Sequence, residues 1–262
     1  MRIALGIEYD GSGYCGWQRQ VNEPGVRTVQ ACVEQALSVV ADHDIAVVCA
    51  GRTDSGVHAL GQVVHFDTDS ERSMRSWVFG ANANLPYDVT VNWALPVEDE
   101  FHARFSAQRR RYRYLVFNRP LRPGLLRLNM AWEYRPLDIN RMQAAAVHLL
   151  GEHDFSSFRT YACQARSPLR TIYHLDVSRY RDTVVIDIEA NAFLHHMVRN
   201  IAGVLLTIGC GEREPVWVLE VLGHRDRQLG GVTAPANGLY LYHISYPEKF
   251  GIPVVGPFGM TL

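Results

Sequence analysis

Asp54 is the carboxylate of this chain set in the most chemically suggestive surroundings. It stands in Gly51-Arg52-Thr53-Asp54-Ser55-Gly56-Val57-His58-Ala59-Leu60-Gly61, between the apolar runs IAVVCA (45–50) and QVVHFDT (62–68). Three glycines between two strand-like runs allow a tight loop whose backbone can approach a ligand closely. An ionised aspartate in such a loop can act as a nucleophile or accept a proton. Arg52 lies two residues before it and His58 four residues after it. An isolated TDSG is, equally, a polar connection whose aspartate caps a turn, and the loop alone leaves both readings open. No second acid lies in the loop. Hydrolysis of a glycosidic bond generally needs a second carboxylate to activate water, and Asp10 could come near in space.

Other residues that could do chemistry are weaker. Gly11-Ser12-Gly13 is no dinucleotide loop, because the next helical pattern starts only near Thr28. His195 and His196 are adjacent, so on a helix they point about 100° apart and make a poor metal pair. No metal and no organic cofactor is expected. His58 and His65 read as hydrogen-bonded structural or ligand-contacting residues rather than general bases. The five cysteines (15, 32, 49, 163 and 210) are odd in number, scattered and without a CxxC pair, which fits a reducing compartment.

The net charge of −1 excludes nothing, but its distribution is uneven. Between Phe101 and Arg127 stand Arg104, Arg109, Arg110, Arg111, Arg113, Arg119, Arg122 and Arg127, with no acid among them. Such a local excess is the footprint of a polyanion partner, with a solvated strand face as the plainer reading. Hydrophobic residues make up 47% and charged residues 20%, which rules out a disordered chain. A chain of 262 residues buries roughly 73% of its unfolded surface and needs no disulfide or metal to hold its core. The start, MRIALGIEYD, meets a carboxylate by Glu8, and the longest apolar stretch, Ile201–Cys210, is half of a membrane span. A cytoplasmic protein off the membrane is expected.

The elements that must position these residues follow an order that occurs twice. IALGIEY (3–9) reads as a strand. Positions 28–42 carry Val29, Cys32, Val33, Ala36, Leu37 and Val40 on one helical stripe behind Thr28 as candidate N-cap. IAVVCA reads as a buried strand and QVVHFDT as a second. A short helix near Met74–Ala83 and a strand over 88–95 follow. The second half brings the basic–aromatic strand RRYRYLVFN (110–118) and a helix over 137–151 with Asp138 as N-cap and Gly151 past its end. Strands at 171–180 and 183–190 then flank Arg181-Asp182, a helix runs over 193–209, and GLYLYHISY (238–246) closes the half. Two β-α-β-β-α-β units in tandem make an α+β protein of two ferredoxin-like halves, 1–100 and 101–262. The first carries the loop of Asp54, the second the basic strand and candidate pocket residues. The halves are expected to form a largely antiparallel mixed sheet with helices on one face and a catalytic cleft between them.

AGRTDSGVHALGQVVHF (50–66) resembles the signature of the TruA family of tRNA pseudouridine synthases. YDGSGYCGWQRQ (9–20), ANANLP (81–86), FHARFSAQRRRYRY (101–114), FSSFR (155–159), ANAFLHHMVRNIAG (190–203) and GLYL (238–241) are similar to further family blocks in family order. The resemblance covers nearly the whole chain. Its one departure is Ser55 where the family commonly has alanine, and both are small. It implies isomerisation of uridine to pseudouridine in the tRNA anticodon arm, at nucleotides 38, 39 and 40, by a homodimer that needs no cofactor. The target base must be extruded before a side chain can reach it. Asp54 then takes the catalytic role, whether by attacking sugar or base or by accepting a proton. Arg52 resembles the arginine that occupies the space of the extruded base, Tyr112 the tyrosine stacked on it, and Arg199 the arginine paired with the catalytic aspartate. Arg109, Arg110, Arg111 and His58 are further candidate RNA contacts. Phe193 and Leu241 read as packing around the pocket. A synthase of the same family aimed at other tRNA positions is the nearest competitor. A non-catalytic RRM-type binder would need an RNP string on the third strand of a unit, which neither QVVHFDTD nor TVVIDIEA carries.

Overall fold

The computed structural model describes residues 1–20, 25–161 and 163–254, so the last residues of the expected second half, 255–262, lie outside the described residues. The described residues form two compact units, one of Met1–Gln108 with Tyr240–Val254, the other of Arg109–Leu239.

In the first unit β1 (Arg2–Tyr9) is followed by α1 (Val29–Ala41), β2 (Val48–Cys49), β3 (His58–Asp67), α2 (Met74–Asn84) and β4 (Val89–Val97). Antiparallel pairing gives the order β4-β1-β3-β2, the arrangement of a split βαβ fold. Ile3, Leu5 and Ile7 of β1 are buried with Val29, Val33, Ala36 and Leu37 of α1. Cys32 and Val40 sit half-buried at the margins of that stripe.

Two local expectations differ from what forms. Thr28 occupies the N-cap of α1 with extended backbone, yet its side chain makes no capping bond. The helix's first N–H groups are instead taken up by loop carbonyls: Val29 donates to Gly16 O (3.3 Å) and Gln30 to Trp17 O (3.0 Å). Of the run 45–50 only Val48 and Cys49 pair with β3. Side chains of α1 intercept the preceding backbone, because Ile45 N donates to Ser38 Oγ (2.8 Å) and Val47 N to Glu34 Oε1 (3.1 Å). A ladder cannot use N–H groups already bonded to a helix.

The second unit contains β5 (Arg109–Asn118), β6 (Ala131–Glu133), α3 (Ile139–Ala146), β7 (Gly151–Asp154), β8 (Leu169–Tyr180), β9 (Thr183–Ala190), α4 (Met197–Gly209) and α5 (Trp217–His224). The order β5-β9-β8-β7 is antiparallel, and β6 adds in parallel to β5. Asp138 caps α3 by accepting from Asn140 N and Arg141 N. The β8–β9 hairpin closes with Arg181 in the left-handed region, φ +52°. α4 starts at Met197 rather than 193, since His196 is left-handed (φ +64°) and cannot continue a right-handed helix. Its stripe Met197, Ile201, Leu205 and Ile208 is fully buried. The stretch 238–246, read as closing the second half, contains β10 (Leu239–Ser245), which pairs in parallel with β3 through Tyr240↔His58 and Leu241↔Ala59. Among the described residues no helix is long and apolar enough to cross a membrane.

Glu34 is nearly buried and its Oε1 also accepts from Gln30 Nε2 (2.8 Å). Glu34→Ala should therefore strand the Val47 N–H and destabilise the fold by about 1–3 kcal/mol, measured by urea unfolding. Glu34→Gln, which keeps an acceptor oxygen, should lose clearly less.

Candidate active site

The loop from Ala50 to His58 is fixed by its own backbone and by the segment 9–17. Ala50 N donates to Val63 O (2.8 Å), and Gln62 Nε2 to Gly51 O (2.7 Å). Val57 N donates to Asp54 O (3.1 Å), closing a turn with Gly56 at φ +77° in its third position. That φ is the reason a glycine stands there. Trp17 N donates to Thr53 O (3.0 Å), Gly56 N and Ser55 Oγ donate to Tyr14 O, and Tyr9 OH meets Thr53 Oγ1 at 2.7 Å. Gly11 and Gly16 lie so near that a Cβ on Gly11 would fall 1.9 Å from Val57 O, and one on Gly16 2.7 Å from Thr53 O. Tyr14 is anchored in turn by donating to Asp88, and burial with that bond pushes its phenol far above the ordinary range. The glycines of YDGSGYCGW are the sequence signal for this support, legible only once its partner is known.

Asp54 is half-buried and Arg52 exposed. Burial pushes the nearby Cys49 thiol up to about 11 although the Arg52 and Arg104 guanidinium groups pull the other way. The thiol stays protonated at neutral pH and is no rival nucleophile. His58 is 1% exposed. Its Nδ1 accepts from Gly11 N (3.0 Å) and lies 3.1 Å from Asp10 Oδ1, and its ring stacks on Tyr240 at 4.6 Å. The structure thus places His58 behind the loop, as a support for segment 9–17. Asp10 itself accepts from Ser12 N and caps the turn that follows it.

In the second unit β5 alternates. Tyr112, Tyr114 and Val116 are buried, while arginines 109, 111 and 113 point to the other side. Tyr112 lies opposite Ile188, with its ring edge-on to Phe193 at 5.1 Å. Arg199 is half-buried on α4, its Nε donating to Ala234 O (2.9 Å). The neighbouring Tyr114 donates to Pro235 O, and burial raises its phenol well above the ordinary value despite Arg199.

The acid-free arginine run finds its counter-charges across the ladder. Arg111 binds Asp187 through two bonds (2.6 and 3.0 Å), and Arg113 Nε shares that carboxylate at 2.9 Å. Arg109 meets Glu189 at 3.1 Å and covers the Tyr173 ring. Arg110 donates to Asn191 O (3.1 Å). The net positive field of this strand is therefore smaller than its linear sequence suggests. Arg52, Asp54 and His58 share one segment of the first unit, whereas Tyr112, Arg109, Arg110, Arg111 and Arg199 belong to the second.

Residues 6–106 and 145–247 match the family described as tRNA pseudouridine synthase. A "tRNA pseudouridine synthase A" of Coxiella burnetii is 58% identical over 259 residues, 98% of either chain. The protein of that name from Alcanivorax borkumensis is 57% identical over 96% of this chain and 94% of its own. One from Vibrio campbellii is 56% identical over 99% and 97%. On a family match spanning both units, and relatives above half identity along almost all of its length, the chain belongs to the tRNA pseudouridine synthase family.

Proposed function

We propose that this protein converts uridine to pseudouridine in the anticodon arm of tRNA, at nucleotides 38, 39 and 40, with Asp54 as the catalytic carboxylate. The observation that carries the assignment is the half-buried Asp54 on a loop whose backbone is pinned at Thr53, Gly56 and Val57. The reaction breaks the bond from the ribose C1′ to N1 of uracil and forms one from C1′ to C5. The proton on C5 leaves and N1 gains one, so the change is an isomerisation without net oxidation or hydrolysis. A single carboxylate meets that need, as nucleophile or proton acceptor, once the base is out of its stack.

The other roles follow residue by residue. Arg52, exposed beside Asp54, occupies the place of the extruded base. Tyr112 stacks on the uracil, and Arg199 contributes a guanidinium to substrate binding. Arg109 and Arg110 add contacts to the RNA backbone, and Arg111 orients through Asp187. His58 serves the RNA site indirectly, by holding Gly11. The working enzyme is a cytoplasmic homodimer that needs no cofactor or metal.

Incubation with unmodified tRNA transcripts, followed by nucleotide-resolution mapping, tests the reading. Pseudouridine should appear at 38, 39 and 40. Pseudouridine confined to other positions would shift the specificity, and release of free uracil would make the protein a glycosylase. Asp54→Asn keeps the shape of the side chain and removes its charge, so turnover should fall below about 1% of wild type while tRNA still binds. Retained turnover would remove Asp54 from the chemistry.

Tyr112 separates ring from hydroxyl. Tyr112→Ala should cost roughly 1–3 kcal/mol of stacking, a factor of about 5 to 150 in single-turnover rate. Tyr112→Phe keeps the ring that packs on Phe193 and should fall between wild type and the alanine variant. A phenylalanine variant as inactive as Asp54→Asn would place the hydroxyl in proton transfer.

A further inference from the structure

Residues 101–106 form a turn held from many sides. Ser106 N donates to His102 O (2.9 Å), and His102 N donates back to Ser106 Oγ (3.0 Å). His102 Nδ1 faces the N–H groups of Arg104 and Phe105, each at 3.2 Å. Ala103 N donates to His65 Nδ1 on β3 (3.1 Å), Tyr246 OH donates to Ala103 O (2.6 Å), and Arg2 Nη1 donates to Phe101 O (3.0 Å). Phe101 and Ala103 are fully buried, and of the six residues only Arg104 and Phe105 are exposed.

Phe105 is 76% exposed. Its inner face stacks on the His102 ring, centroids 4.3 Å apart and planes 30° from parallel, and the Arg104 guanidinium lies 5.7 Å from its centroid. Burial and the neighbouring Arg2 and Arg104 hold His102 below the ordinary histidine range, and burial pushes His65 down to about 4. Both rings are therefore neutral acceptors at pH 7, and the turn keeps its bonds. A turn bonded from so many sides that lifts a phenyl ring out of the core and sets a guanidinium beside it has the form of a stacking platform. Aromatic faces accept any base, and the adjacent cation suits the phosphate of the same nucleotide. Arg104 and Arg52 both act on the Cys49 thiol, so the two guanidinium groups lie in reach of one thiol that closely precedes the signature loop.

We propose that Arg104 and Phe105 bind one unpaired nucleotide of the tRNA substrate, its base stacked on the Phe105 ring and its phosphate facing Arg104. The proposal rests on tRNA being the substrate, and it adds a contact to a nucleotide other than the one isomerised.

Binding of unmodified tRNA transcripts to the full-length protein, followed by fluorescence anisotropy, tests it. Phe105→Ala should raise Kd roughly 5- to 150-fold, with unchanged melting temperature. Phe105→Trp should restore binding, whereas Phe105→Leu should not. Abasic substitutions scanned through the loop should reveal one position that weakens wild type but is silent in Phe105→Ala. Arg104→Gln should lower the slope of log K against log salt by roughly 0.7 for a single-stranded phosphate. Binding of Phe105→Ala within twofold of wild type, full binding by Phe105→Leu, or no silent abasic position would overturn the stacking site. Pseudouridine formation by wild type on the same transcripts reports separately on the substrate reading, so the two can fail independently.

Discussion

The candidate site depends on the close approach of segment 9–17 to the loop that bears Asp54. Carbonyl oxygens of Thr53 and Val57 lie where side chains on Gly16 and Gly11 would stand, so backbone meets backbone without a Cβ between. Trp17 N, Gly56 N and the Tyr9 hydroxyl then bond across that contact. His58 closes it from behind by accepting the Gly11 N–H. A carboxylate on a loop so fixed meets its substrate without first ordering its own backbone, which is the condition for efficient positioning.

Electrostatics follows a similar economy. The basic strand β5 spends three arginines on Asp187 and Glu189 of β9, so its charge is ordered as well as partly neutralised. What such a strand presents is a fixed array of donors rather than a bare positive field. The exposed Arg52 and Arg104 provide charge elsewhere, near the signature loop and around a half-buried, protonated thiol.

Much of this was legible in the sequence where one local rule decided the outcome. Glycine at 56 follows from the turn, Asp138 caps α3, and the 3.6-residue stripe of α4 is buried as its spacing demands. The differences arise where a distant partner wins. Thr28 has the cap residue's identity, but Gly16 and Trp17 carbonyls take the helix N–H groups. The run 45–47 has strand composition, but Glu34 and Ser38 claim its N–H groups. The arginine stretch lacks acids along the chain but not across the ladder. His58 carries no sequence mark of burial, and only β10, arriving from the far end of the chain, places Tyr240 over it.

The central claim, that backbone contact between segment 9–17 and the signature loop sets Asp54 for reaction, is tested most directly by Gly11→Ala. The added Cβ falls 1.9 Å from Val57 O, so backbone must move. With tRNA affinity measured alongside, the single-turnover rate should drop by about 100-fold, the scale of an ångström-sized misplacement, while binding stays within a few-fold of wild type. A Gly11→Ala enzyme that isomerises uridine at the wild-type rate would contradict the account.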